Sequence, residues 1–370
     1  MTSPLTIVLD QARLRGIKRA FSTRRVPNED IRLATKGDMR PMPGDLVLAR
    51  VDRIGHHKRI ERTDGRMADL YVGDEIVLAY GNRYAPDQFE AEIPDSLVPC
   101  HMVAAGGIAS MALSSNDKAR RPTEITPIGL IVDRSGKPVN LASYALPAVN
   151  ARELPPIVIV AGTSMNAGKT TTATSLIHGL VRAGFRVGAA KLTGTGAGGD
   201  FWSMTDAGAH KVVDFTDAGH ASTYLCAPQE IEAITHKLFA QLAADDCDVI
   251  VAEIADGIFQ RETVSLLKAD FFRSLVQAII FATVDAAGAR DGANWLAGLG
   301  YNLLGISGML TRSPLARRET EEATGLRTLS VEDLANPEFA RSLLASLEDI
   351  AQVDDTARSE VSQIQQQAAE

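Results

Sequence analysis

The sequence has few cysteines and lacks any long apolar run. Its three cysteines, Cys100, Cys226 and Cys247, are far apart and do not show metal-ligand spacing, so we expect reduced intracellular thiols. A catalytic cysteine is the alternative. No run approaches the roughly 18 apolar residues that cross a bilayer. The N-terminus has neither the basic start nor the cleavage site of a signal peptide. We therefore expect a cytoplasmic protein without a membrane segment.

An excess of positive charge is also absent. The formal net charge is -8, so we do not expect a nucleic acid as the main partner. The net charge does not exclude anionic small substrates, which can bind where pockets are locally basic. Hydrophobic residues make up 45% and charged residues 23%, which is ordinary globular composition. Because the 370 residues exceed the ~250–300 at which one core usually stops growing, we expect two domains.

The first part of the chain carries short strand-like segments. Within residues 43–103, apolar segments follow the turn-forming pairs Gly44-Asp45 and Gly73-Asp74. This pattern predicts a small, mostly antiparallel β-rich domain over residues 1–120. The basic stretch 53–66 is either a solvated hairpin face or a surface that binds an anionic substrate or partner. Residues 121–153 read as a linker, and the polar residues 348–370 read as a C-terminal tail.

After residue 154, apolar runs of strand length alternate with helical stretches. This alternation predicts an α/β domain over residues 154–347, with a mostly parallel sheet covered by helices on both faces. The predicted strands are residues 157–160, 187–191, 249–254, 278–283 and 303–309, and the predicted helices are residues 170–183, 231–244, 263–275 and 289–299.

The first predicted strand runs into a phosphate-binding loop, AGTSMNAGKTTT. Such a loop points backbone N–H groups at phosphate oxygens and leads into a helix N-terminus, whose dipole favours anions. Gly168 permits close approach, Lys169 supplies a charge to the outer phosphates, and Thr170 offers a hydroxyl to Mg²⁺. The predicted nucleotide-binding residues are Gly162, Thr163, Asn166, Ala167, Gly168, Lys169, Thr170 and Thr171.

The first glycine of this loop lies one position earlier than in the usual G-x-x-x-x-G-K-[ST] pattern. The resulting G-T-x-x-x-x-G-K-T loop resembles that of dethiobiotin synthetase and of the enzymes that amidate cobyrinate and cobyrate. The resemblance implies three further roles. Lys191, at the end of the second strand, contacts phosphate and substrate, while Asp206 and Glu253 hold Mg²⁺ together with Thr170. A helix N-cap is the alternative role for Asp206. For Glu253, the end of a buried strand is a costly place for an unpaired carboxylate, which favours metal binding.

The sequence departs from that family in two places. The Gly-Ala-Gly-Gly that normally follows the glutamate is replaced by Ile254-Ala255-Asp256-Gly257, and the asparagine that reads adenine is missing from Ser307-Gly308-Met309. Residues 191–215 are also similar to P-loop proteins related to D-glutamate N-acetyltransferase. The spacing from Asp200 to Ala209 is similar to that of the GTP-binding accessory protein of molybdopterin-guanine dinucleotide synthesis. All three resemblances cover only residues 154–325.

The leading hypothesis is therefore an enzyme in which Mg²⁺ and ATP, or GTP, activate a small carboxylate by phosphoryl transfer. An amine then captures the acyl phosphate to form an amide or a ring, with Lys169 and Lys191 stabilising the transferred charge. A kinase that stops at the phosphorylated product is a close variant. The alternatives are a nucleotide-dependent switch that binds a partner protein and an acyltransferase that holds coenzyme A. By analogy with related P-loop enzymes, we expect a homodimer.

Overall fold

The computed structural model describes residues 5–150 and 153–347, so the predicted tail 348–370 lies outside the described residues. The chain folds into two compact units. The first contains the described residues up to Ala148 together with Lys191–Trp202 and Val213–Leu238. The second contains the described residues of Val149–Ala190, Ser203–Val212 and the chain from Phe239 onward. No helix in the described ranges combines the length and apolar character needed to cross a membrane.

The N-terminal part is rich in β-strands, as predicted. Its elements are β1 Leu5–Val8, α1 Gln11–Gly16, β2 Lys18–Arg19, β3 Leu33–Lys36, β4 Leu46–Arg53, β5 Arg59–Glu61, β6 Met67–Asp69, β7 Glu75–Tyr80, β8 Arg83–Tyr84, β9 Phe89–Glu92, β10 Cys100–Ala104, β11 Ile108–Ser115 and β12 Thr123–Val132. Within the described residues, ten of these strands form one sheet in the order β1-β3-β12-β4-β7-β11-β9-β8, with β10 beside β11 and β12, and β2 beside β7. Most of the pairs are antiparallel.

The two Gly-Asp turns use the same local chemistry. Gly44 and Gly73 have φ values of 84° and 92°, a backbone conformation that glycine adopts at little cost. Each following aspartate accepts a hydrogen bond from the amide three residues earlier, at 2.8 Å for Asp45 and 2.7 Å for Asp74. The strands that follow, β4 and β7, pair with each other; β7 is buried except at its first residue, and β4 is buried at Leu46–Ala49 and Val51.

The segment that we interpreted as a linker contains a long strand of this sheet. Residues 123–132 form β12, which pairs with β3, β4 and β10. The register with β4 shifts between Pro127 and Gly129, which accommodates a residue that cannot donate to the ladder. Over residues 123–128, buried residues alternate with partly exposed ones, and residues 129–132 are all buried. The apolar run 128–132, which is strand-like in the sequence, is the second half of this strand, whereas Pro127 and the polar residues before it concealed the first half.

The P-loop part has the predicted parallel sheet. Its elements are β13 Ile157–Gly162, α2 Lys169–Arg182, β14 Val187–Lys191, α3 Gly199–Asp206, β15 Lys211–Asp214, α4 Pro228–Ala243, β16 Val249–Glu253, α5 Arg261–Lys268, α6 Asp270–Leu275, β17 Ala278–Ala282, α7 Ala286–Gly298, β18 Leu303–Ser307, α8 Pro314–Thr324 and α9 Val331–Leu334. Among the described residues the strand order is β15-β14-β16-β13-β17-β18, and β13 runs parallel to both β16 and β17.

The first of these strands, β13, is buried along its whole length. Strands covered on both faces read as continuous apolar runs, and the sequence IVIVAG is such a run. The core of the second unit joins β13, α2, β16 and β17, with Leu176, Leu180, Val251 and Ile280 among its buried members. This packing fixes the end of β13 and the start of α2, between which the phosphate-binding loop lies.

A buried ion-pair network joins residues 213–217 to Arg24, which lies between β2 and β3 in the first unit. Arg24 Nη2 lies 2.7 Å from Asp217 Oδ2 and 3.2 Å from Asp214 Oδ1. The guanidinium stacks on the Phe21 ring, 4.2 Å from its centroid, and on the Phe201 ring at 4.9 Å. Burial and the charge of Asp214 raise the pKa of Asp217. These contacts explain why two short segments of the P-loop sequence belong to the first unit.

Candidate functional site

The loop 163–168 joins β13 to α2, and two of its residues have a left-handed backbone conformation. Gly168 is the N-cap of α2, with a φ of 96°, and Asn166 has a φ of 66°. A Cβ at Gly162 would lie 2.7 Å from the carbonyl oxygen of Ala282. Glycine is therefore required at residue 162 for steric reasons, because β13 and β17 approach too closely there for any side chain.

Two further glycines lie against the same loop. A Cβ at Gly257 would lie 2.3 Å from the carbonyl oxygen of Thr163, and a Cβ at Gly308 would lie 2.3 Å from that of Ala167. The amide of Met309 donates to the Ala167 carbonyl at 3.0 Å. The sequence alone did not indicate that these two glycines support the loop. The sequence contained a partial indication, since Gly257 follows the predicted strand 249–254 and Gly308 lies near the end of the predicted strand 303–309, at the edge where α/β sheets bind ligands.

The lysine of the loop is buried. Lys169 has a relative exposure of 6%, and its ammonium donates to the carbonyl of Ser164 at 2.7 Å, so the side chain folds back over the loop. Because Gly168 has no side chain, no N-cap side chain occupies the start of α2. A helix N-terminus with a neighbouring ammonium is a favourable site for phosphate. Lys169 and Gly168 therefore lie at the junction of β13 and α2, and their role in binding phosphate stays a prediction.

Thr170 and Glu253 come together, as a shared metal site requires. Thr170 Oγ1 lies 3.4 Å from Glu253 Oε1. Glu253 is 2% exposed, and its Oε2 has no hydrogen-bond partner within the described residues. A buried carboxylate with an unsatisfied oxygen is costly unless a cation or donor completes it. This donor set fits Mg²⁺, which prefers a few carboxylate and hydroxyl oxygens beside phosphate and water.

Asp206 and Lys191 have different surroundings. Asp206 is exposed at the last residue of α3, and in the described parts of the chain no hydrogen bond or ion pair joins it to Thr170 or Glu253. Its position at the C-terminal end of a helix excludes the N-cap role that we considered. Lys191 ends β14, and its ammonium pairs with the carboxylate of Asp200 in α3. An anion that bound Lys191 would have to compete with this carboxylate.

The basic stretch of the first unit lines a small cavity. Arg53, Lys58, Arg120 and Arg121 surround about 210 Å³ of space, together with Ile54 and Gly55. Arg53 pairs with Glu124, whereas His57 is buried and its pKa is lowered to about 3 by burial and by Arg83. The stretch is therefore not uniformly solvated, and anion binding stays one of the two predicted roles of this stretch.

Comparison with known proteins supports the assignment of the second part of the chain. Residues 157–269 match the family model "Molybdopterin guanine dinucleotide synthesis protein B", which covers less than half of the chain. The chain therefore contains a P-loop NTPase domain. Of the resemblances drawn from the sequence, the one to this accessory protein is supported, whereas the narrower one to dethiobiotin synthetase is not shown. A search of curated proteins found no match.

Solved structures give weaker likenesses. The signal recognition particle 54 kDa protein from Aeropyrum pernix K1 in complex with GDP has a TM-score of 0.36 and 20% identity, over 59% of this chain and 55% of that one. The signal recognition particle receptor FtsY from Elizabethkingia anophelis has a TM-score of 0.35 and 15% identity, over 54% and 68%. This chain thus spans just over half of the first structure. At such TM-scores neither likeness carries an argument about function.

Proposed function

We propose that this protein binds a nucleoside triphosphate with Mg²⁺ and transfers its terminal phosphoryl group. The observation that carries the proposal is the pairing of Thr170 with a buried Glu253 that has one unsatisfied carboxylate oxygen. Lys169 and the N-terminus of α2 would hold the β- and γ-phosphates. When bound, Mg²⁺ neutralises phosphate charge. Asp206 is proposed as a further contributor to this metal from the resemblance alone.

The proposed acceptor is a small carboxylate, whose acyl phosphate is then captured by an amine. In this scheme Lys191 would leave Asp200 and stabilise the carboxylate or the acyl phosphate. ATP is the proposed donor, although the segment at Ser307-Gly308-Met309 lacks the asparagine that reads adenine in the resembled enzymes. GTP is therefore tested beside it. We also propose a homodimer, for which the molar mass from light scattering is the test.

A nucleotide-dependent switch that serves a partner protein is the second candidate. The match of residues 157–269 to an accessory protein of molybdopterin guanine dinucleotide synthesis favours it. The two candidates differ in what accelerates turnover. A ligase or kinase releases ADP or GDP rapidly only with its small acid present, whereas a switch hydrolyses slowly and ignores metabolites.

The experiment measures nucleoside diphosphate and phosphate release from ATP and GTP across a panel of small carboxylates. We expect at least one acid to raise turnover, and Lys169→Ala to abolish the increase. Lys268→Ala, which removes an exposed lysine on α5, is the matched control. Slow turnover that no acid changes would reject carboxylate activation and leave the switch. Thiol release from acetyl-CoA without nucleotide turnover would reject both in favour of an acyltransferase.

A further inference from the structure

Three potential metal ligands lie close together in the first unit. One ligand atom each from His220, Cys226 and Glu230 lies within 4.8 Å of the other two. Cys226 Sγ is 3.9 Å from His220 Nδ1. The histidine and the cysteine are half-buried, while the glutamate is exposed. Within residues 5–150 and 153–347, no other three His, Cys, Asp or Glu side chains converge in this way.

The backbone between β15 and α4 positions these side chains. Leu225, directly before Cys226, has a φ of 67°, a left-handed backbone conformation that non-glycine residues rarely adopt. The amide of Cys226 donates to the Thr223 carbonyl at 3.1 Å. Glu230 lies in the first turn of α4, and its Oε2 accepts from the amide of Ala227 at 2.7 Å. The cysteine and the glutamate are thus held at the start of one helix.

We propose that His220, Cys226 and Glu230 bind one Zn²⁺ ion. Zinc takes imidazole nitrogen at ~2.0–2.1 Å, thiolate at ~2.3 Å and carboxylate oxygen at ~2.0–2.2 Å in a tetrahedral arrangement. In that geometry a sulfur and a nitrogen ligand lie about 3.5 Å apart. The distance of 3.9 Å between Cys226 Sγ and His220 Nδ1 needs only a small side-chain rotation to reach this value.

Charge and donor type distinguish this site from the oxygen ligands beside the P-loop. A thiolate and a carboxylate together neutralise a divalent cation, and a sulfur donor selects zinc over Mg²⁺. The pKa of His220 is lowered, mainly by burial and also by Lys237, against the opposite effect of Glu230. A neutral imidazole is the form that binds a metal.

Three protein ligands leave the fourth tetrahedral position for water or another small ligand. Zinc sites with this open position are typically catalytic or exchangeable, whereas structural sites have four protein ligands. We therefore expect a zinc ion that retains one exchangeable ligand.

A reactive cysteine is the competing interpretation of the same three residues. In such a site His220 would take the proton of Cys226, and the thiolate would attack an electrophile. The two interpretations differ in whether a metal binds and in how the metal affects the thiol. Alkylation of Cys226 that zinc leaves unchanged would favour the reactive cysteine over the metal site.

The test begins with the full chain after treatment with a chelator. Zn²⁺ alone is titrated by calorimetry, and Co²⁺ is titrated while the absorption of the thiolate–cobalt bond is recorded. We expect one ion per chain. Cys226→Ser and His220→Gln should each weaken binding by more than about 100-fold, and Glu230→Gln by at least about tenfold. Glu232→Gln and His236→Gln are the controls, because they remove an exposed Glu–His pair on the same helix and should leave binding unchanged.

A second measurement follows alkylation of Cys226 by iodoacetamide, with the modified site identified by mass spectrometry. Bound Zn²⁺ should slow this alkylation at least about tenfold in the wild-type chain but not in Glu230→Gln. Because Glu230 is exposed, its substitution should leave the fold intact. Absence of binding near one equivalent, equal binding by the variants and the wild type, or alkylation that zinc leaves unchanged would each overturn the proposal. Because no readout involves a nucleotide, the outcome is independent of phosphoryl transfer.

Discussion

The turn after β16 supports the phosphate-binding loop, and Gly257→Ala tests this support. Gly257 packs against the backbone of Thr163 and Ser164, with space for hydrogen only. The amide of Ile258 donates to the carbonyl of Gly162 at 3.0 Å, so the turn is tied to the end of β13. A methyl group at residue 257 must therefore displace one of the two segments.

The size of the displacement follows from the distances. The added Cβ would start 2.3 Å from the Thr163 carbonyl oxygen, and ordinary contact begins at 3.4 Å, so the loop or the turn must move by about 1 Å. Overpacking of this kind costs about 1–3 kcal/mol of unfolding free energy. A shift of about 1 Å in a positioning segment lowers activity roughly 100-fold. We expect a loss of nucleotide affinity of similar size in Gly257→Ala.

Affinity is measured with a fluorescent nucleotide, and stability is measured by urea unfolding. Gly298→Ala is the matched control, because a Cβ there meets nothing within 4 Å at the end of α7. Its stability should be unchanged or raised by up to about 1 kcal/mol. If Gly257→Ala binds nucleotide as tightly as the wild type, the turn does not set the loop geometry and the argument from close packing is refuted.

Three further substitutions test separate parts of the account. Glu253→Gln should weaken Mg²⁺-dependent nucleotide binding at least about tenfold and leave binding in EDTA unchanged. Glu319→Gln, at an exposed residue, should change neither, and equal Mg²⁺ dependence in the two variants would contradict the metal role of Glu253. Arg24→Met removes the cation beside the buried Asp214 and leaves Asp217 with Arg25 alone. It should lower the unfolding free energy in urea by about 3–5 kcal/mol, more than Arg25→Met does. A loss below about 1 kcal/mol would show that the network contributes little. Burial lowers the pKa of His57 to about 3, so protonation of His57 favours the unfolded chain. The unfolding free energy should therefore be highest above about pH 6.5 and fall by up to about 2 kcal/mol by pH 5. His57→Gln should remove this loss and His178→Gln should retain it, and identical pH profiles of the two variants would refute the burial argument.

The sequence predicted the strands and helices around the P-loop well, because each buried parallel strand is a continuous apolar run. The predicted strand 187–191 coincides with β14, and the others agree with β13, β16, β17 and β18 to within three residues at their ends. The predicted helix 263–275 is instead two helices, α5 and α6, which meet at Ala269. The backbone at Ala269 is extended, so the apolar periodicity continued through a break that it could not reveal.

Other features depend on tertiary contacts that no local pattern records. The strand β12 carries Pro127 and several polar residues, and it is a strand because β3, β4 and β10 pair with it. The ion pair of Lys191 with Asp200 joins residues nine positions apart across a glycine-rich segment. The convergence of His220, Cys226 and Glu230 was also missed, because the sequence shows one cysteine without the paired spacing of common zinc motifs.

Nucleotide binding is tested by a calorimetric titration of the wild-type chain and Lys169→Ala with Mg-ATP and Mg-GTP. We expect one site per chain for at least one nucleotide, and Lys169→Ala should weaken binding at least about tenfold, because a charged hydrogen bond to phosphate is lost. Failure of the wild-type chain to bind either nucleotide, or equal affinity in the variant, would contradict the assignment of residues 162–171 as a nucleotide site.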